Sequence, residues 1–352
     1  MRKLASIRKI NDIQPIEGAD AIEVATIDGW KVVTKKNEFQ IGDLCIYFEI
    51  DSVLPVREEF EFLRKNSFVK KDWLVSETNP EGEGFRLKTI RLRGQISQGL
   101  VVPLSAFLFK ALPEEGQCVT DVLGVVKWDP PVPATLAGRV KGNFPSFIPK
   151  TDQERIQNIK PEELAAYADH DFEVTTKLDG SSMTVFSKDS YVGVCSRNLE
   201  LDWENDSGTT FAAVLTETSL NEILPTIGNY AIQGELMGPG IQGNRENLKN
   251  HKFYVFDIYD IDAGRYLSSS DRFEMVRVIR LMQETKGVVR IEHCPMHTDM
   301  KAATLTVDEL LALAEGSSIV NPIREGLVFK SIQDSMFSFK AISNRFLIKN
   351  DG

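Results

Sequence analysis

The sequence predicts an α+β protein of two domains, in which a small β-rich domain precedes a larger domain of mixed strands and helices. The length of 352 residues suits two domains better than one. The first hundred or so residues carry short strand-like segments separated by glycine turns. A stretch rich in proline and glycine follows, and beyond it strand-like segments alternate with helical ones.

The β-rich part predicts a small barrel. Residues 22–36 contain two strand-like runs around Asp28-Gly29, which is a hairpin signal. Residues 44–55 form one further strand-like run, and residues 85–104 form two more. Short strands with glycine turns at this spacing are typical of small barrels. We place this domain at residues 1–125. Its basic residues are either solvated strand residues or, if the domain contacts nucleic acid, a candidate phosphate-binding strand: Arg86, Lys88, Arg91 and Arg93.

The second part begins after a predicted linker at residues 126–143 and extends over residues 144–352. Helices are expected at 161–169, at 271–287 with a glycine stop, and at 306–316 with a capping box from Thr306 to Glu309. Strands are expected in the segments EVTTKLD, MTVFS, YVGVCSR, YAIQGELM, FYVFDIYD, GLVFKS and SMFSFKAI.

Composition and charge narrow the class of protein. The chain is 42% hydrophobic and 26% charged, which are ordinary proportions for a globular protein. We expect no membrane span and no secretory signal, since no apolar run is long enough for either. The net charge of −10 disfavours non-specific coating of nucleic acid but allows local phosphate contacts. The four cysteines form no CxxC pair, which argues against a zinc site and fits a reducing, cytoplasmic compartment: Cys45, Cys118, Cys195 and Cys294. The sequence carries no signal for the oligomeric state, so we take a monomer as the default.

One short segment, KLDG at residues 177–180, raises a chemical question. Side chains alternate along a strand, so Lys177 and Asp179 are expected on one face, where an amine and a carboxylate would meet. An ordinary strand ending in an Asp-Gly turn explains the same four residues. A nucleophilic lysine must lose its proton, which burial or a nearby cation favours.

Further charged and aromatic residues follow where predicted strands begin or end. Each has an ordinary interpretation by itself, as a surface charge or as core. A carboxylate inside an apolar strand, as at Glu235, needs a partner, because burying it alone is unfavourable. The set is specific only as an ordered group: Arg197, Glu235, Phe256, Glu325 and Lys340.

In this order the segments resemble the covalent nucleotidyltransferases, a superfamily of ATP-dependent DNA ligases, RNA ligases and mRNA capping enzymes. The resemblance implies an ATP-grasp-like ligase core with antiparallel sheets. It also implies that Lys177 attacks the α-phosphate of ATP and forms lysyl-AMP. The segments that carry the resemblance are KLDG (177–180), SRN (196–198), GELM (234–237), FYVFDI (253–258), EGLVFK (325–330) and FSFKAI (337–342).

The resemblance also implies roles for the other residues. Magnesium or manganese would be held by Asp179, Glu235 and Glu325. ATP or AMP would be bound by Arg197, Glu235, Phe256, Lys330, Lys340 and Arg155. The sequence departs from the common Lys-x-Lys ending of the last motif, since Ser338 precedes Phe339 and Lys340. Lys330 is the candidate for the cation that is missing there.

Within the superfamily, two features favour RNA ligases. Ser182 stands where DNA ligases carry arginine, and the β-rich domain precedes the core instead of following it. That domain resembles OB folds in PIEGADAIEVATIDGW and GDLCIYFEIDSVLP. The implied partner is RNA, or a nicked duplex with RNA on the 3′-OH side. A capping-type guanylyltransferase that uses GTP and a non-catalytic OB-type RNA-binding protein remain as alternatives.

Overall fold

A computed structural model describes residues 2–109, 111–131 and 138–351. These residues fall into two compact units. The first contains the chain up to Pro131, Gln157–Lys160 and the residues from Asn344 onward. The second contains the described residues between them. Of the predicted linker at 126–143, residues 132–137 lie outside the described residues, and its two ends are in strands.

The first unit is built from short antiparallel strands. They pair as three sheets in the orders β1-β5-β11, β12-β6-β8-β7 and β2-β3-β4, and as the hairpin β9-β10. One short helix, α1, spans Arg64–Ser67. The strands are β1 Ala5–Lys9, β2 Asp12–Pro15, β3 Ile22–Ile27, β4 Trp30–Lys35, β5 Leu44–Phe48, β6 Ser52–Leu54, β7 Phe68–Lys70, β8 Glu83–Arg86, β9 Thr89–Leu92, β10 Gln95–Gln98, β11 Leu100–Pro103 and β12 Val126–Lys127.

The predicted hairpin around Asp28-Gly29 is confirmed as β3 and β4, which pair antiparallel. Two other segments break into more strands than predicted. Residues 44–55 form β5 and β6, and residues 85–104 form β8 to β11. Left-handed backbone at Asp51, Arg93 and Gly99 separates these strands, and the sequence pattern does not show such turns reliably.

Two distant segments belong to the first unit through specific contacts. The last helix of the chain, α7 (Asn344–Asp351), packs against β9, and Gln98 Nε2 donates to Asn344 Oδ1 over 3.2 Å. The segment Gln157–Lys160 is held by Asn158. Its side chain accepts from Trp30 Nε1 over 2.7 Å and donates to Glu49 over 2.8 Å. The first unit therefore differs from the predicted domain of residues 1–125. Contacts between segments that are distant in the chain leave no local signal in the sequence.

The second unit contains two sheets. The larger has the order β13-β18-β17-β16-β19-β20-β21, with β22 paired to β20, and the smaller has the order β14-β24-β23-β15. Its strands are β13 Val140–Asn143, β14 Glu154–Arg155, β15 Phe172–Lys177, β16 Ser181–Lys188, β17 Tyr191–Cys195, β18 Leu199–Leu201, β19 Tyr230–Met237, β20 Lys252–Asp260, β21 Arg265–Tyr266, β22 Glu292–His293, β23 Gly326–Ser331 and β24 Ser338–Ile342. Its helices are α2 Pro161–Ala165, α3 Thr210–Glu217, α4 Leu220–Ile227, α5 Ser269–Lys286 and α6 Val307–Ala314.

The predicted helices at 161–169, 271–287 and 306–316 are present. Gly287 ends α5 in the left-handed region at φ 68°, and Thr306 and Glu309 form the predicted capping box of α6. The helices α3 and α4 were not predicted. They cover one face of the larger sheet, where Phe211, Leu215 and Ile223 join its main apolar core.

A buried charge network connects α5 to both sheets. The Arg272 guanidinium binds the Glu173 carboxylate of β15 over 2.5 Å, and both side chains are almost wholly buried. Asp257 of β20 lies 3.9 Å from Arg272 and 2.7 Å from the ammonium of Lys330 on β23. Breaking such a pair would leave an uncompensated buried charge, so the network fixes the two sheets in one arrangement.

All four cysteines are free thiols. Among the described residues, no helix combines the length and the apolar character needed to cross a membrane.

Candidate active site

The KLDG segment passes from one sheet to the other. Strand β15 of the smaller sheet ends at Lys177, and β16 of the larger sheet begins at Ser181. Asp179 therefore lies in the connecting turn and not on a strand face with Lys177. The expected strand alternation stops two residues too early to pair them, and each finds a different partner.

Lys177 is paired with Glu325. Lys177 lies opposite Gly326 in the antiparallel register of β15 and β23, which brings the preceding residue, Glu325, beside it. The Lys177 ammonium is 2.8 Å from Glu325 Oε1. Desolvation alone would lower the pKa of Lys177, but the Glu325 and Glu235 carboxylates outweigh it and hold the pKa above its ordinary value. The two carboxylates therefore favour the charged ammonium form of Lys177.

Glu235, on β19, lies on the other side of this turn. It lies opposite Ser182 in the register of β19 and β16, and its Oε1 accepts from the backbone N–H of Gly180 over 3.0 Å. Part of its side chain is exposed, but desolvation of the carboxyl raises the pKa of Glu235 to about 7, against the opposing attraction of Lys177. A cation beside this carboxyl would favour its ionised form.

Gly180 lets the turn approach β19 closely. A Cβ atom at Gly180 would lie 2.4 Å from the carbonyl oxygen of Leu236 and 2.9 Å from Cγ of Glu235. Because the first of these atoms belongs to the backbone, a side chain would force the turn away from the strand. The glycine therefore allows the hydrogen bond that orients Glu235.

Asp179 forms an ion pair with Arg245, a residue that the sequence did not single out. Arg245 lies in the loop between β19 and β20, where Asn244 and Asn247 have positive φ angles of 47° and 49°. The side chain of Asn244 exchanges two hydrogen bonds with the backbone of Leu248, which stabilises this conformation.

The residue after Arg245 anchors the same loop. Glu246 is buried and accepts hydrogen bonds from the backbone N–H groups of Val320 and Asn321, over 2.7 and 3.1 Å. The loop therefore holds Arg245 in place against Asp179. Only the fold reveals this, since loop residues of mixed polarity carry no periodic pattern.

Three predicted phosphate-binding cations lie near one another. Arg155 on β14 is directly beside Lys340 on β24 in the register of the smaller sheet. Asp152 lies 3.5 Å from the Lys340 ammonium and 3.0 Å from the Arg197 guanidinium. Asp152 was not predicted. Its carboxylate neutralises these cations in part, as a bound phosphate would.

Phe256 and Lys330 are neighbours on β20 and β23. The ring of Phe256 is partly exposed and packs against an apolar cluster that includes Leu178, the residue between Lys177 and Asp179. The Lys330 ammonium donates to the carbonyl of Phe256 over 2.6 Å and to Asp257 over 2.7 Å. A phosphate contact by Lys330 would have to compete with this pairing.

The carboxylates of the site suit a hard cation such as Mg²⁺, which prefers oxygen ligands. Within the described ranges, no three His, Cys, Asp or Glu side chains form a ready-made metal cage. Glu325 Oε2 is nevertheless buried and has no hydrogen-bond partner. Magnesium usually binds one or two carboxylates and keeps several waters, so Glu325 and Glu235 fit such an ion.

The basic residues predicted for nucleic-acid binding belong to the first unit. Arg91 lies on β9 and Arg93 at the turn of the β9-β10 hairpin, and both are exposed. Neither forms a salt bridge with a described residue. Lys88 is half-buried, and the Arg86 guanidinium lies 4.3 Å from the ring centre of Trp128.

The raised pKa of Glu235 predicts a pH-dependent stability. The Glu235 carboxyl has a pKa of about 7 in the folded state and near 4.5 in the unfolded state. Because the folded state holds this proton more tightly, the protein becomes less stable as the pH rises between these values. Glu235→Gln keeps the acceptor for Gly180 but cannot ionise. We expect its Tm to exceed that of the wild type by about 3–10 °C at pH 8, with a much smaller difference at pH 5. An equal difference in Tm at pH 8 and at pH 5, measured by thermal unfolding, would contradict the raised pKa of Glu235. The control is Glu284→Gln at an exposed position, which should leave the Tm unchanged at both pH values.

Two known protein families match parts of this chain. An OB-fold domain family matches residues 4–104, and the RNA ligase family matches residues 170–349. Among curated protein sequences, none matches the chain.

Solved structures of an RNA ligase from Naegleria gruberi are similar over the full length. The ligase with PPi is 42% identical with a TM-score of 0.88, and the match covers 99% of this chain and 98% of the other. A variant with ATP and Mn is 42% identical with a TM-score of 0.89, and the match covers both chains completely. A variant with AMP and Mn is 42% identical with a TM-score of 0.89, covering 99% and 100%.

These matches confirm the predicted fold class, an OB-like domain followed by a ligase core, and the predicted enzyme class. The chain therefore belongs to the RNA ligase family.

Proposed function

We propose that this enzyme uses ATP to form lysyl-AMP at Lys177 and then joins a 5′-phosphate to a 3′-OH, at nicks with RNA on the 3′-OH side. The observation that carries the proposal is the position of Lys177, between Glu325 and Glu235 at the turn that connects the two sheets. The Naegleria ligase structures contain ATP, AMP and PPi, which are the substrate and products of such chemistry, and this supports the proposal.

In the first step the Lys177 amine attacks the α-phosphorus of ATP. A nitrogen–phosphorus bond forms, the bond to the β-phosphate oxygen breaks, and pyrophosphate leaves. The amine must first give up a proton, since only the neutral form is nucleophilic. Glu325, 2.8 Å from the ammonium, is positioned to accept that proton or to share it with solvent.

The next two steps transfer the AMP group to the nucleic acid and then displace it. A 5′-phosphate oxygen of the nucleic acid attacks the AMP phosphorus, the bond to Lys177 breaks, and the amine regains a proton. The 3′-OH then attacks the activated 5′-phosphate, loses its proton, and releases AMP. Each step is a phosphoryl or nucleotidyl transfer, for which a protein mainly supplies alignment and neutralisation of charge.

The cations near Asp152 suit the ATP phosphates. Lys340 and Arg155 lie side by side in the smaller sheet, and Arg197 shares Asp152 with Lys340. An incoming phosphate would replace the Asp152 carboxylate as their counter-ion. We assign Lys340 to the α-phosphate, Arg155 to the triphosphate tail, Arg197 to the ribose or the nucleic acid, and Phe256 to stacking on adenine.

A divalent metal, magnesium or manganese, would be held by Glu235 and Glu325, with Asp179 contributing directly or through water. When bound, it would neutralise phosphate charge in the transition state. Its charge would also oppose the two carboxylates that keep Lys177 protonated, and this favours the neutral amine. Arg245 keeps the Asp179 carboxylate at the rim of the site through their ion pair.

The nucleotide choice is the first testable consequence. Incubation with magnesium and α-labelled ATP should leave acid-labile label on the denatured protein, whereas α-labelled GTP should not. Labelling from GTP alone would favour the capping-type alternative, and no labelling from either nucleotide would contradict the proposed enzyme. Omission of magnesium with added EDTA serves as the control and should abolish the signal.

The basic hairpin of the first unit provides a second test. Replacing both Arg91 and Arg93 by alanine should weaken binding to a nicked RNA-containing duplex and reduce the slope of log K against log [salt] by about 2, one unit for each lost phosphate contact. Adenylylation of the enzyme should stay at the wild-type rate, because these residues do not belong to the unit that holds Lys177.

A matched control for this test is Lys9→Ala, which removes an exposed cation that is paired with Glu115 in the same unit. It should change neither binding nor the salt dependence. Unchanged nick binding by the double variant would overturn the assignment of the hairpin, and an equal loss of adenylylation and binding would point to a folding defect.

A further inference from the structure

The second unit has a cleft of about 510 Å³ that the proposed chemistry does not use. This volume lies within the range of small-molecule sites, roughly 300–1,000 Å³. Its wall consists of the segment 145–147 and the tip of the β16-β17 hairpin. The side chains that matter for its chemistry are Phe147, Phe186, Lys188, Tyr191 and Glu200.

Three aromatic rings form the apolar part of this cleft. Phe186 is buried and lies against Gly193, where an added Cβ atom would come within 2.2 Å of the ring. Phe147 meets Phe186 edge-on with the ring centres 5.5 Å apart, and Tyr191 lies 5.9 Å from Phe186. Phe147 and Tyr191 remain 38% and 40% exposed. The cleft therefore presents two partly exposed rings, Phe147 and Tyr191, beside the buried ring of Phe186.

Charged groups surround these rings. The Lys188 ammonium lies 4.5 Å from the ring centre of Phe147, and within the described chain it has no carboxylate partner. The Lys141 ammonium lies 4.5 Å from the ring centre of Tyr191 and donates to its hydroxyl over 2.6 Å. That hydroxyl donates to Glu200. The cleft thus combines apolar planes with cations and carboxylate acceptors.

The cleft lies on the same face of the larger sheet as Glu235. Ser182, opposite Glu235, is separated from Phe186 and Lys188 by even numbers of residues along β16, so all of them project to one side. At about 3.3 Å per residue, Lys188 is roughly 20 Å from Ser182. This distance corresponds to about six stacked nucleotides of one strand.

We propose that this cleft binds an unpaired base of the RNA strand, where that strand leaves the duplex about six nucleotides from the end that is joined. The rings provide stacking surfaces, which every base can use. Lys188 and Lys141 would contact the flanking phosphates, and Glu200 would accept from an amino group of the base. A nucleotide has all three of these features together. The inference deepens the proposed function, since it rests on RNA being the substrate.

The test is the binding of nicked duplexes by fluorescence anisotropy, with an RNA strand that is paired for six nucleotides beside the nick. Tyr191→Ala and Phe147→Ala should each weaken binding by about 5- to 100-fold when this strand continues as an unpaired tail to a total length of about twelve nucleotides, the long RNA. The loss should disappear when the strand ends with the paired segment, the short RNA, because no unpaired base then reaches the cleft. Labelling of the enzyme by ATP should be unaffected, so a failure of the proposed function would be recognised separately, by absent labelling of the wild type.

Two control variants sharpen the result. Tyr191→Phe keeps the ring and should bind within about threefold of the wild type, whereas Leu281→Ala removes an exposed apolar side chain elsewhere in the unit and should have no effect. Wild-type binding of long RNA by both alanine variants would overturn the proposal. Equal losses on short and long RNA, or a loss in Tyr191→Phe as large as in Tyr191→Ala, would also overturn it.

Discussion

The lysine between two carboxylates is the interaction on which the rest of the site depends. Lys177 ends a strand of one sheet, Glu325 precedes the neighbouring strand, and Glu235 lies on the other sheet. Their charges favour the ammonium, although burial favours the amine. In the proposed mechanism, Lys177 is therefore protonated and unreactive until a cation that binds these carboxylates shifts the balance toward the amine.

The backbone constraint behind this arrangement is the turn from Leu178 to Gly180. It carries the chain from the smaller sheet to the larger one, and Gly180 must approach β19 too closely for a side chain. The buried Lys330–Asp257 pair joins the same two sheets directly, and Arg272 of α5 contacts both Glu173 and Asp257. A turn with a rigid frame on both sides can hold a nucleophile and two carboxylates at short range.

The sequence predicted the parts of the site that strand ends and motif order reveal. Lys177, Glu235 and Glu325 were predicted from the order of the motifs, since each residue by itself also has an ordinary interpretation. Arg245 and Asp152 were missed, since each acts through a contact between distant segments and neither interrupts a pattern. Asp179 was placed on a strand because alternation cannot show that β15 ends at Lys177. The sequence also did not show that α7 belongs to the first unit, because α7 packs against β9, which is distant in the chain.

The most direct measurement of the central claim is the location of the adduct. After incubation with ATP and magnesium, the protein is digested under conditions that preserve phosphoramidates, and the peptides are sequenced by tandem mass spectrometry. The account predicts one AMP group, on Lys177, and no adduct in Lys177→Ala. An AMP group on another residue, or an adduct that persists in Lys177→Ala, would contradict it.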